Sequence, residues 1–440
     1  MPGPKQTEPV VEPSAEPSRP SLVRAIGRWA LTAAVVNSVI GSGVFGLPST
    51  VVGYVGAWGP VAVLLAGVCM FVVVLCFAEV GSRFDQGGGP YLYAREAFGP
   101  SAGFHVGWLH VWTRLLSAAA VLNVFVAYLA VLVPVVGTPA GRAVAMVVGV
   151  ALVTALNVGG VRQSTWAVNG FTVAKLLPLV LLVLVGLVHL SPEVLATQAV
   201  ARPAWTDAVL ILVFAYGGFE SAVIAAGEME DPKRDMAFAL IAAMVAITVI
   251  YCLVQLVVGG VLPDAARSTT PVASALARLL GPIGATIGAL AVVVSVYGWL
   301  TGFALMTPRV LLAMAERHEL PAVVGRIHPV GRTPHVAIIL NSAIALGLGL
   351  IGSFAETATM AAIVRLGIYA STCAALIALR RRSALPARFT LPGGNLFAVA
   401  GLGFCAWMLA TRSFEQAWML GAMVASGVLV RFVVGRLHVS

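Results

Sequence analysis

The stretch IGSGVFGLP, residues Ile40 to Pro48, lies inside the first long apolar segment of the chain and contains three glycines and a proline. Glycine weakens a helix and proline removes a backbone donor, so we expect this segment to unwind partway along. Unwound backbone in lipid leaves N–H and C=O groups unpaired, which is unfavourable by several kcal/mol for each group. Such a break persists only where protein, water or a ligand satisfies it, and it therefore predicts a site within the membrane.

The composition indicates a multi-pass membrane protein. Of the 440 residues, 59% are hydrophobic and 10% are charged, and the mean hydropathy is +0.96. A spanning helix needs about 20 apolar residues, and twelve runs of that kind are present, here called segments 1 to 12. They cover residues 28–52, 57–82, 101–134, 140–159, 164–190, 206–229, 237–262, 283–315, 334–353, 357–379, 394–411 and 415–436. We predict an all-α polytopic membrane protein with 12 transmembrane helices.

The formal net charge of +9 is explained by topology and not by a nucleic-acid partner. With the N-terminus in the cytoplasm, most of the 27 lysines and arginines fall in the inner tails and loops, as the positive-inside rule requires. Five fall on the outer side, namely Arg142, Arg202, Arg267, Arg278 and Arg412. Both termini are therefore predicted to be cytoplasmic, and the short loops are typical of a bacterial inner (plasma) membrane protein. Three basic residues remain inside segments: Arg114, Lys175 and Arg365.

Catalytic, metal and redox functions are not indicated. The five cysteines lie in apolar segments without the spacing of a disulfide framework, and the HExxH, GxSxG and Walker-type motifs are missing. We therefore expect no enzyme activity, no cofactor and no metal. Residues 1–24 are rich in proline and glutamate and are predicted to form a disordered cytoplasmic tail. The sequence does not predict an oligomeric state.

A second interruption, FAYGGFES, lies in segment 6 at residues 214–221. Segments 1 and 6 each begin a block of five segments, and their breaks are about 175 residues apart. Paired interruptions of this kind mark the binding site of transporters built from inverted repeats. We expect a first repeat over 25–190 and a second over 205–382, with the helices of 394–436 outside them. The alternative is that the glycines only allow neighbouring helices to pack closely.

The two breaks together favour a zwitterionic ligand. A half-helix that begins near Gly43 would direct free N–H groups and its positive dipole end toward the membrane centre, where they could bind a carboxylate. The carbonyl groups freed at the ends of the other half-helices, from Phe214 to Gly217 among them, could accept hydrogen bonds from an ammonium group. An α-amino acid carries both groups a bond or two apart.

The chain resembles the amino acid/polyamine/organocation (APC) superfamily of transporters over residues 25–436. The resemblance rests on four stretches in order: VIGSGVFGLPS at 39–49, GGGPYLYAREAFGP at 87–100, FAYGGFESAVIAAGEMEDPKRDM at 214–236 and TPRVLLAMAERHELPAVVGRIHPVGRTPHVA at 307–337. It implies an amino acid permease with the five-plus-five (5+5) inverted-repeat core shared with sodium-coupled amine transporters, in which helices 1 and 6 are discontinuous.

The resemblance also implies roles for individual residues. Gly41, Ser42 and Gly43 match positions that receive the substrate carboxylate, Phe214 matches an aromatic lid, and Trp299 matches an aromatic of the side-chain pocket. A lipid-facing or interfacial Trp299 is the alternative. The full set of expected substrate-binding residues is Val39, Ile40, Gly41, Ser42, Gly43, Phe214, Ala215, Tyr216, Gly217, Trp299 and Arg114, and the expected gate residues are Phe214 and His110.

Lys175 is the candidate for proton coupling. It lies 11 residues into segment 5, roughly 16 Å from the start of that segment. Burial disfavours a charged ammonium group, so a lysine at this depth can lose its proton near neutral pH. In proton-coupled relatives a lysine of this segment takes the place of a sodium ion. The alternative is a permanently charged lysine that binds the carbonyl groups of segment 1 and carries no proton.

Glu220, Arg114 and Arg365 leave further alternatives open. Glu220 matches a glutamate of the inner gate and is either a proton site or the counter-ion of a nearby base. His110 and Arg114 share one face of segment 3 with Ser117. An arginine at position 114 departs from the family pattern. If its charge is free, it would repel a basic substrate and attract an acidic one. The alternative, which we favour, is that Arg114 pairs with Glu220 and leaves the pocket neutral. Arg365 is expected to pair with a carbonyl or a carboxylate.

These features predict a secondary active transporter of amino acids that works by alternating access and proton symport. Its partners would be an amino acid, the coupling proton and the lipid bilayer. Exchange of amino acids and sodium symport are the alternatives within transport. A sensor that binds an amino acid without moving it is a further alternative.

Overall fold

The computed structural model describes residues 27–84, 88–160, 165–220, 232–382 and 386–437. Within these ranges the regular structure is helical and contains no strand. The predicted disordered tail at 1–24 lies outside the described residues. The predicted all-α class is confirmed for the part of the chain described.

Fifteen helices are described, and we number them in chain order. They are α1 (Arg28–Val39), α2 (Ser42–Val55), α3 (Gly59–Gly81), α4 (Gly89–Phe98), α5 (Pro100–Leu132), α6 (Pro139–Val158), α7 (Thr165–Val188), α8 (Pro192–Thr197), α9 (Trp205–Tyr216), α10 (Pro232–Val261), α11 (Pro271–Glu316), α12 (His335–Ile351), α13 (Phe354–Arg380), α14 (Gly394–Ala410) and α15 (Phe414–Leu437). Among the described residues, seven helical stretches are long and apolar enough to cross a membrane, and four shorter apolar helices accompany them. A multi-pass membrane protein agrees with this architecture, while the count of twelve spans stays a prediction.

The two breaks expected from the sequence are present. The first segment is divided between α1, which ends at Val39, and α2, which begins at Ser42. In the sixth segment α9 ends at Tyr216, Gly217 is extended, and helical structure resumes at Glu220. Both apolar segments therefore lose their helix partway along, as glycine and proline predict.

A third break divides α11. Gly281 has φ +68° and ψ −157° and is followed by Pro282, so a short helix over 271–280 precedes the long helix over 282–316. Glycine adopts positive φ without strain, and proline suits the first turn of the helix that follows. The predicted start of segment 8 at residue 283 agrees with this division.

Helix α5 forms the centre of the bundle. It packs against α13, α11, α4 and α12, and its middle turns are buried almost continuously from Leu115 to Val126. Three consecutive alanines, Ala118 to Ala120, are fully buried there, and small residues let neighbouring helices approach closely. The residues of α5 that face the two breaks are therefore held on a rigid element.

The outer surface is apolar, as expected for contact with lipid. Large hydrophobic side chains that are more than half exposed include Val68, Leu184, Ile283, Leu429 and Phe432. A soluble domain rarely exposes large continuous apolar surface. Together with the apolar helices, this surface indicates a membrane environment.

One end of the bundle, here called the basic end, carries Arg83, Arg95, Arg317, Arg380 and Arg382. Glu79 of α3 accepts hydrogen bonds from Arg83 at 2.8 Å and from Arg380 at 2.6 and 2.8 Å. Arg382 donates to backbone carbonyls at the end of α4, that of Ala97 at 3.1 Å. Glu79 therefore joins α3 to the loop that follows it and to the end of α13. The positive-inside rule predicts that this end faces the cytoplasm.

Candidate functional site

The two breaks lie directly against each other. A Cβ atom added at Gly43 of α2 would come within 2.9 Å of the Cα atom of Ala215 in α9, so only glycine allows this approach. Gly218, at φ +121°, faces the chain at Ser38. The Ser38 hydroxyl donates to the carbonyl oxygen of Gly218 at 2.9 Å. The interruptions in the first and sixth segments therefore form one joint structure.

The N-terminus of α2 points into this joint without a cap. Gly41 occupies the N-cap position, and no side chain accepts a hydrogen bond from the first turn. Ser42 and Gly43 are buried. The first backbone N–H groups of a helix have no partner within the helix, and inside a membrane no bulk water replaces that partner. The start of α2 is thus suited to an anion such as a carboxylate.

A small cavity, here called the central cavity, lies at the joint and measures about 30 Å³. Nine of the eleven expected substrate-binding residues line it, namely Val39, Gly41, Ser42, Gly43, Arg114, Phe214, Ala215, Gly217 and Trp299. Its volume has room for about two water molecules, well below the roughly 300–1,000 Å³ of a ligand pocket. The cavity must widen before it can hold an amino acid.

Ile40 and Tyr216 do not line the central cavity. Ile40 is fully buried in the apolar core. The Tyr216 hydroxyl donates to the carbonyl of Val63 in α3 at 2.9 Å. An α-helix turns about 100° per residue, so Tyr216, two residues after Phe214, faces α3 instead of the cavity.

Several carbonyl groups that were expected to bind the substrate amine already accept hydrogen bonds from side chains. Arg365 donates to the carbonyl of Phe214 at 3.1 Å. The Tyr251 hydroxyl lies 3.0 Å from the carbonyl oxygen of Ala215 and 3.1 Å from that of Val39. A carbonyl oxygen has two lone pairs, so an ammonium group at these positions would share the oxygen with Arg365 or Tyr251.

Lys175 of α7 reaches the end of α1 at the break. Its Nζ atom donates to the carbonyl of Asn37 at 2.7 Å and to that of Ile40 at 3.1 Å. The lysine is 6% exposed. Both alternatives drawn from the sequence require this contact, so its role in proton coupling stays a prediction.

Glu220 pairs with Arg365 and not with Arg114. The Nε atom of Arg365 lies 3.3 Å from the Oε1 atom of Glu220, and the Gly218 N–H donates to Oε2 at 2.9 Å. The favoured pairing of Arg114 with Glu220 is therefore wrong, because Glu220 faces α13 from the second break. The expected partners of Arg365, a carbonyl and a carboxylate, are both confirmed.

Arg114 lies over the indole ring of Trp299. Its Cζ atom lies 4.8 Å from the centre of the indole ring, and its Nε atom lies 3.5 Å from the Thr307 hydroxyl. Arg114 is about 21 Å along α5 from Pro100, near the middle of this 33-residue helix. Trp299 in turn approaches the first break, since a Cβ atom added at Gly41 would lie 3.8 Å from its Cδ1 atom.

A larger cavity of about 430 Å³, here called the vestibule, extends from Arg114 toward the basic end. His110 and Arg114 of α5 line one wall, and Tyr91 lies nearer the basic end. The opposite wall is one exposed face of α11, formed by Met306, Arg309 and Ala313, together with Arg317 directly after the helix. Arg114 lines both cavities and thus separates them. The expected gate residue His110 lies on the vestibule side of Arg114.

Five residues of the central cavity were not assigned to it from the sequence: Ser38, Ser117, Val121, Gly218 and Arg365. Ser117 lies three residues after Arg114, so its helical spacing already placed it on the same face. Its hydroxyl is buried and has no hydrogen-bond partner among the described residues. Arg365 lines the cavity, although its sequence position suggested only an internal pair.

Known transport proteins are similar to this chain over most of its length. Residues 26–429 match the sequence profile of a family described as amino acid permease. The serine/threonine exchanger SteT of Bacillus subtilis (strain 168) is 27% identical over 82% of this chain and 84% of its own length. The methylthioribose transporter of the same organism is 25% identical over 98% of this chain and 97% of its own length. The large neutral amino acids transporter small subunit 2 of Rattus norvegicus is 26% identical over 97% of this chain and 84% of its own length.

Proposed function

We propose that this chain, which belongs to the amino acid permease family, moves an amino acid across the membrane by alternating access. The observation that carries the proposal is the uncapped N-terminus of α2, buried at the joint of two broken helices. A carboxylate would accept hydrogen bonds from the first N–H groups of α2. The substrate amine would lie among the carbonyl groups at the ends of α1 and α9.

The site itself favours an amino acid over other small solutes. One of the similar proteins is named for methylthioribose, a sugar derivative without a carboxylate. A neutral sugar would leave the N–H groups of α2 without an anion and the neighbouring carbonyls without a cation. Since unpaired polar groups in a membrane are unfavourable by several kcal/mol each, a zwitterion suits this joint better.

The two cavities support the alternating-access part of the proposal. The vestibule leads from the basic end to Arg114, and the central cavity begins on the other side of Arg114. A substrate at the breaks would exchange with the basic end when Arg114 and Trp299 move aside. We place the basic end and both termini in the cytoplasm, and we assign 25–190 and 205–382 to the two inverted repeats.

Lys175 is our candidate for the coupling residue. As an ammonium it donates to two carbonyl groups where α1 ends, and as a neutral amine it would hold them less strongly, because charge-assisted hydrogen bonds are roughly twice as strong as neutral ones. Protonation would thereby fix the end of α1 beside the substrate. We propose proton symport; amino acid exchange, the activity in the name of one similar protein, is the second candidate. Glu220 is better suited to the role of counter-ion for Arg365 than to that of a proton site.

Uptake into liposomes tests the transport proposal. The full chain would be purified, reconstituted and supplied with labelled amino acids of the neutral, acidic and basic classes. We expect saturable accumulation of at least one class, absent from protein-free liposomes and inhibited by the same unlabelled amino acid. Binding of an amino acid without uptake would indicate a sensor, and neither binding nor uptake of any class would refute the proposal.

A further inference from the structure

We infer that the substrate is an α-amino acid whose side chain ends in a carboxylate, and that Arg114 binds this second carboxylate. The inference rests on the proposed function and narrows its substrate class. It depends on the charge balance around the central cavity and on the positions of the Arg114 guanidinium and of Ser117.

The first step is the charge balance. The pair of Arg365 and Glu220 is internally neutral, with 3.3 Å between its charged atoms. Arg114 has no carboxylate partner among the described residues, and its only hydrogen bond there is the long one to Thr307. No aspartate or glutamate is among the described residues that line the central cavity or the vestibule. Among the described residues, the cavity therefore has one positive charge that no carboxylate pairs with directly.

An uncompensated arginine at this depth requires an explanation. A charged side chain inside a membrane is unfavourable by several kcal/mol unless it is paired or reaches water. Arg114 reaches the vestibule with part of its surface, which supplies water. The remaining part faces the central cavity, where a substrate would displace that water and leave the cation unpaired unless the substrate itself carried an anion.

The second step is the position of the guanidinium. Its Cζ atom lies over the Trp299 ring, 4.8 Å from the ring centre, so the indole covers one side of the group. Stacking and bidentate binding of a carboxylate are compatible in arginine, since they use the face and the edge of the same group. The terminal nitrogens of Arg114 have no protein partner among the described residues, so their donors are available to a ligand.

The third step is the position of these donors relative to the start of α2. Trp299 lies against Gly41 at the break and against Arg114 on α5. A substrate with its backbone carboxylate at the start of α2 would extend its side chain along Trp299 toward Arg114. Ser117, one turn further along α5, adds a buried hydroxyl without a described partner on the wall of the same cavity. A side-chain carboxylate would find donors from both residues.

The same charge disfavours other substrates. A lysine or arginine side chain would approach Arg114 with like charge, and the carboxylate of Glu220 is already paired with Arg365. A neutral side chain would cover the guanidinium without pairing it. Discrimination of glutamate from glutamine, which has almost the same shape, is therefore the sharpest measure of the effect.

The experiment compares glutamate, aspartate, glutamine, leucine and lysine in liposomes that contain the full chain. We expect the wild type to take up glutamate or aspartate and to prefer the acid over glutamine by at least about tenfold, the discrimination of one charge-assisted pair. Arg114→Gln should lose that preference and retain uptake of glutamine, which would also show that the variant folds. Arg309→Gln, which removes a charge from the vestibule away from Trp299, is the matched control and should keep the preference.

Three results would overturn the inference. The first is uptake of neutral amino acids by the wild type without uptake of either acid, which would leave amino acid transport intact. The second is an equal loss of preference in Arg309→Gln, which would assign the effect to the general charge of the vestibule. The third is failure of every class to bind or enter, in which case the proposed function fails as well. Thermal stabilisation of the purified wild type by glutamate but not by glutamine provides a readout that needs no variant.

Discussion

Lys175 contacts the end of α1 through one group that is able to change its charge. Replacement by arginine keeps a permanent cation beside the carbonyls of Asn37 and Ile40 but removes the ability to lose a proton. We expect Lys175→Arg to lose accumulation driven by a pH gradient by more than about tenfold, a change of ~1.4 kcal/mol or more. Exchange of labelled for unlabelled substrate, which moves no net proton, should persist.

The controls for Lys175 separate proton coupling from its alternatives. Wild-type accumulation should rise when the outside is made more acidic and should not change when sodium is replaced by choline. If Lys175→Arg or Lys175→Ala accumulates substrate as well as the wild type under a pH gradient, the lysine has no coupling role. Loss of both accumulation and exchange in Lys175→Arg would point to a purely structural contact.

Gly43 is the residue at which the contact of the two breaks is most restrictive. An alanine there would place Cβ 2.9 Å from the backbone of Ala215, and backbone cannot move aside as a flexible side chain does. We expect Gly43→Ala to abolish uptake and to lower stability by about 1–3 kcal/mol, as overpacking does. The matched control is Gly53→Ala on the same helix, whose added Cβ would lie 3.9 Å from its nearest neighbour, Ala266. Normal uptake by Gly43→Ala would contradict the close contact of α2 with α9.

The sequence predicted the positions of the two helix breaks at the central cavity better than it predicted which charged residues there form pairs. Glycine and proline act on the chain locally, so Gly41, Gly43 and Gly217 could be placed at the breaks without coordinates. The partner of Glu220 depends on which of two arginines, 251 residues apart in the chain (365 minus 114), comes nearer in space. Only the packing of α13 against α5 and α9 decides that Arg365 takes the carboxylate.

Helix α4 and the end of α11 are joined at the mouth of the vestibule. Arg95 and Arg317 donate to the Tyr91 hydroxyl at 2.9 and 2.8 Å. The same hydroxyl lies 3.2 Å from the carboxylate of Glu319. One phenol therefore connects a short helix at the basic end with the long helix that forms the vestibule wall.

Tyr91→Phe tests whether this junction controls access to the vestibule. The change removes every hydrogen bond of the hydroxyl, while the ring and the neighbouring charges remain. Because hydrogen bonds that are partly open to water contribute only about 1 kcal/mol each to stability, we expect the fold to persist and the vestibule to open more often. A cysteine placed at Ala313, an exposed vestibule position, should react faster with a water-soluble maleimide in Tyr91→Phe than in the wild-type background.

Two results of the labelling experiment would contradict a role of Tyr91 in access to the vestibule. If the cysteine at Ala313 reacts at the same rate in Tyr91→Phe as in the wild-type background, the Tyr91 junction does not limit access to the vestibule. An equal increase in rate for a cysteine at Ala322, near the basic end, would lead to the same conclusion. The five native cysteines are buried or half-buried, so the background reaction with a polar reagent should be low. Glu319→Gln, which removes the charge that faces Tyr91 and Arg95, should act in the same direction as Tyr91→Phe.

For the whole molecule, the sequence was informative because the bilayer restricts the possible structures. Apolar length alone predicts where helices run, and each predicted segment with described residues contains a described helix. The sequence predicted the start of segment 8 at residue 283 but not a third break at Gly281. A glycine and a proline outside an apolar run do not by themselves indicate a functional site. The closed state of the central cavity could not be predicted, because it depends on the relative positions of α2, α9, α5 and α11.

Glu79 connects distant parts of the molecule at the basic end. Besides its bonds to Arg83 of the loop and Arg380 of α13, it accepts a hydrogen bond from the Leu391 N–H, 2.9 Å away, before α14. Its side chain is fully buried. Glu79→Gln removes the negative charge and leaves two arginines facing a neutral amide. We expect a loss of ~3–5 kcal/mol, the range for breaking a buried ion pair, seen as lower thermal stability in detergent.

Asp207 provides the matched control, since it also pairs with an arginine but is itself half-exposed. Its carboxylate lies 3.0 Å from Arg412; the aspartate side chain is 46% exposed and the arginine side chain 3% exposed. Water reaches the aspartate and screens this single pair, so Asp207→Asn should change stability by about 1 kcal/mol, less than Glu79→Gln. Because Glu79 holds α3, α13 and the chain before α14 together while Asp207 joins only α9 to Arg412 after α14, the two variants should differ clearly in melting temperature. Equal shifts would mean that the charges of Glu79 reach water and that the basic end is held together by its apolar contacts instead.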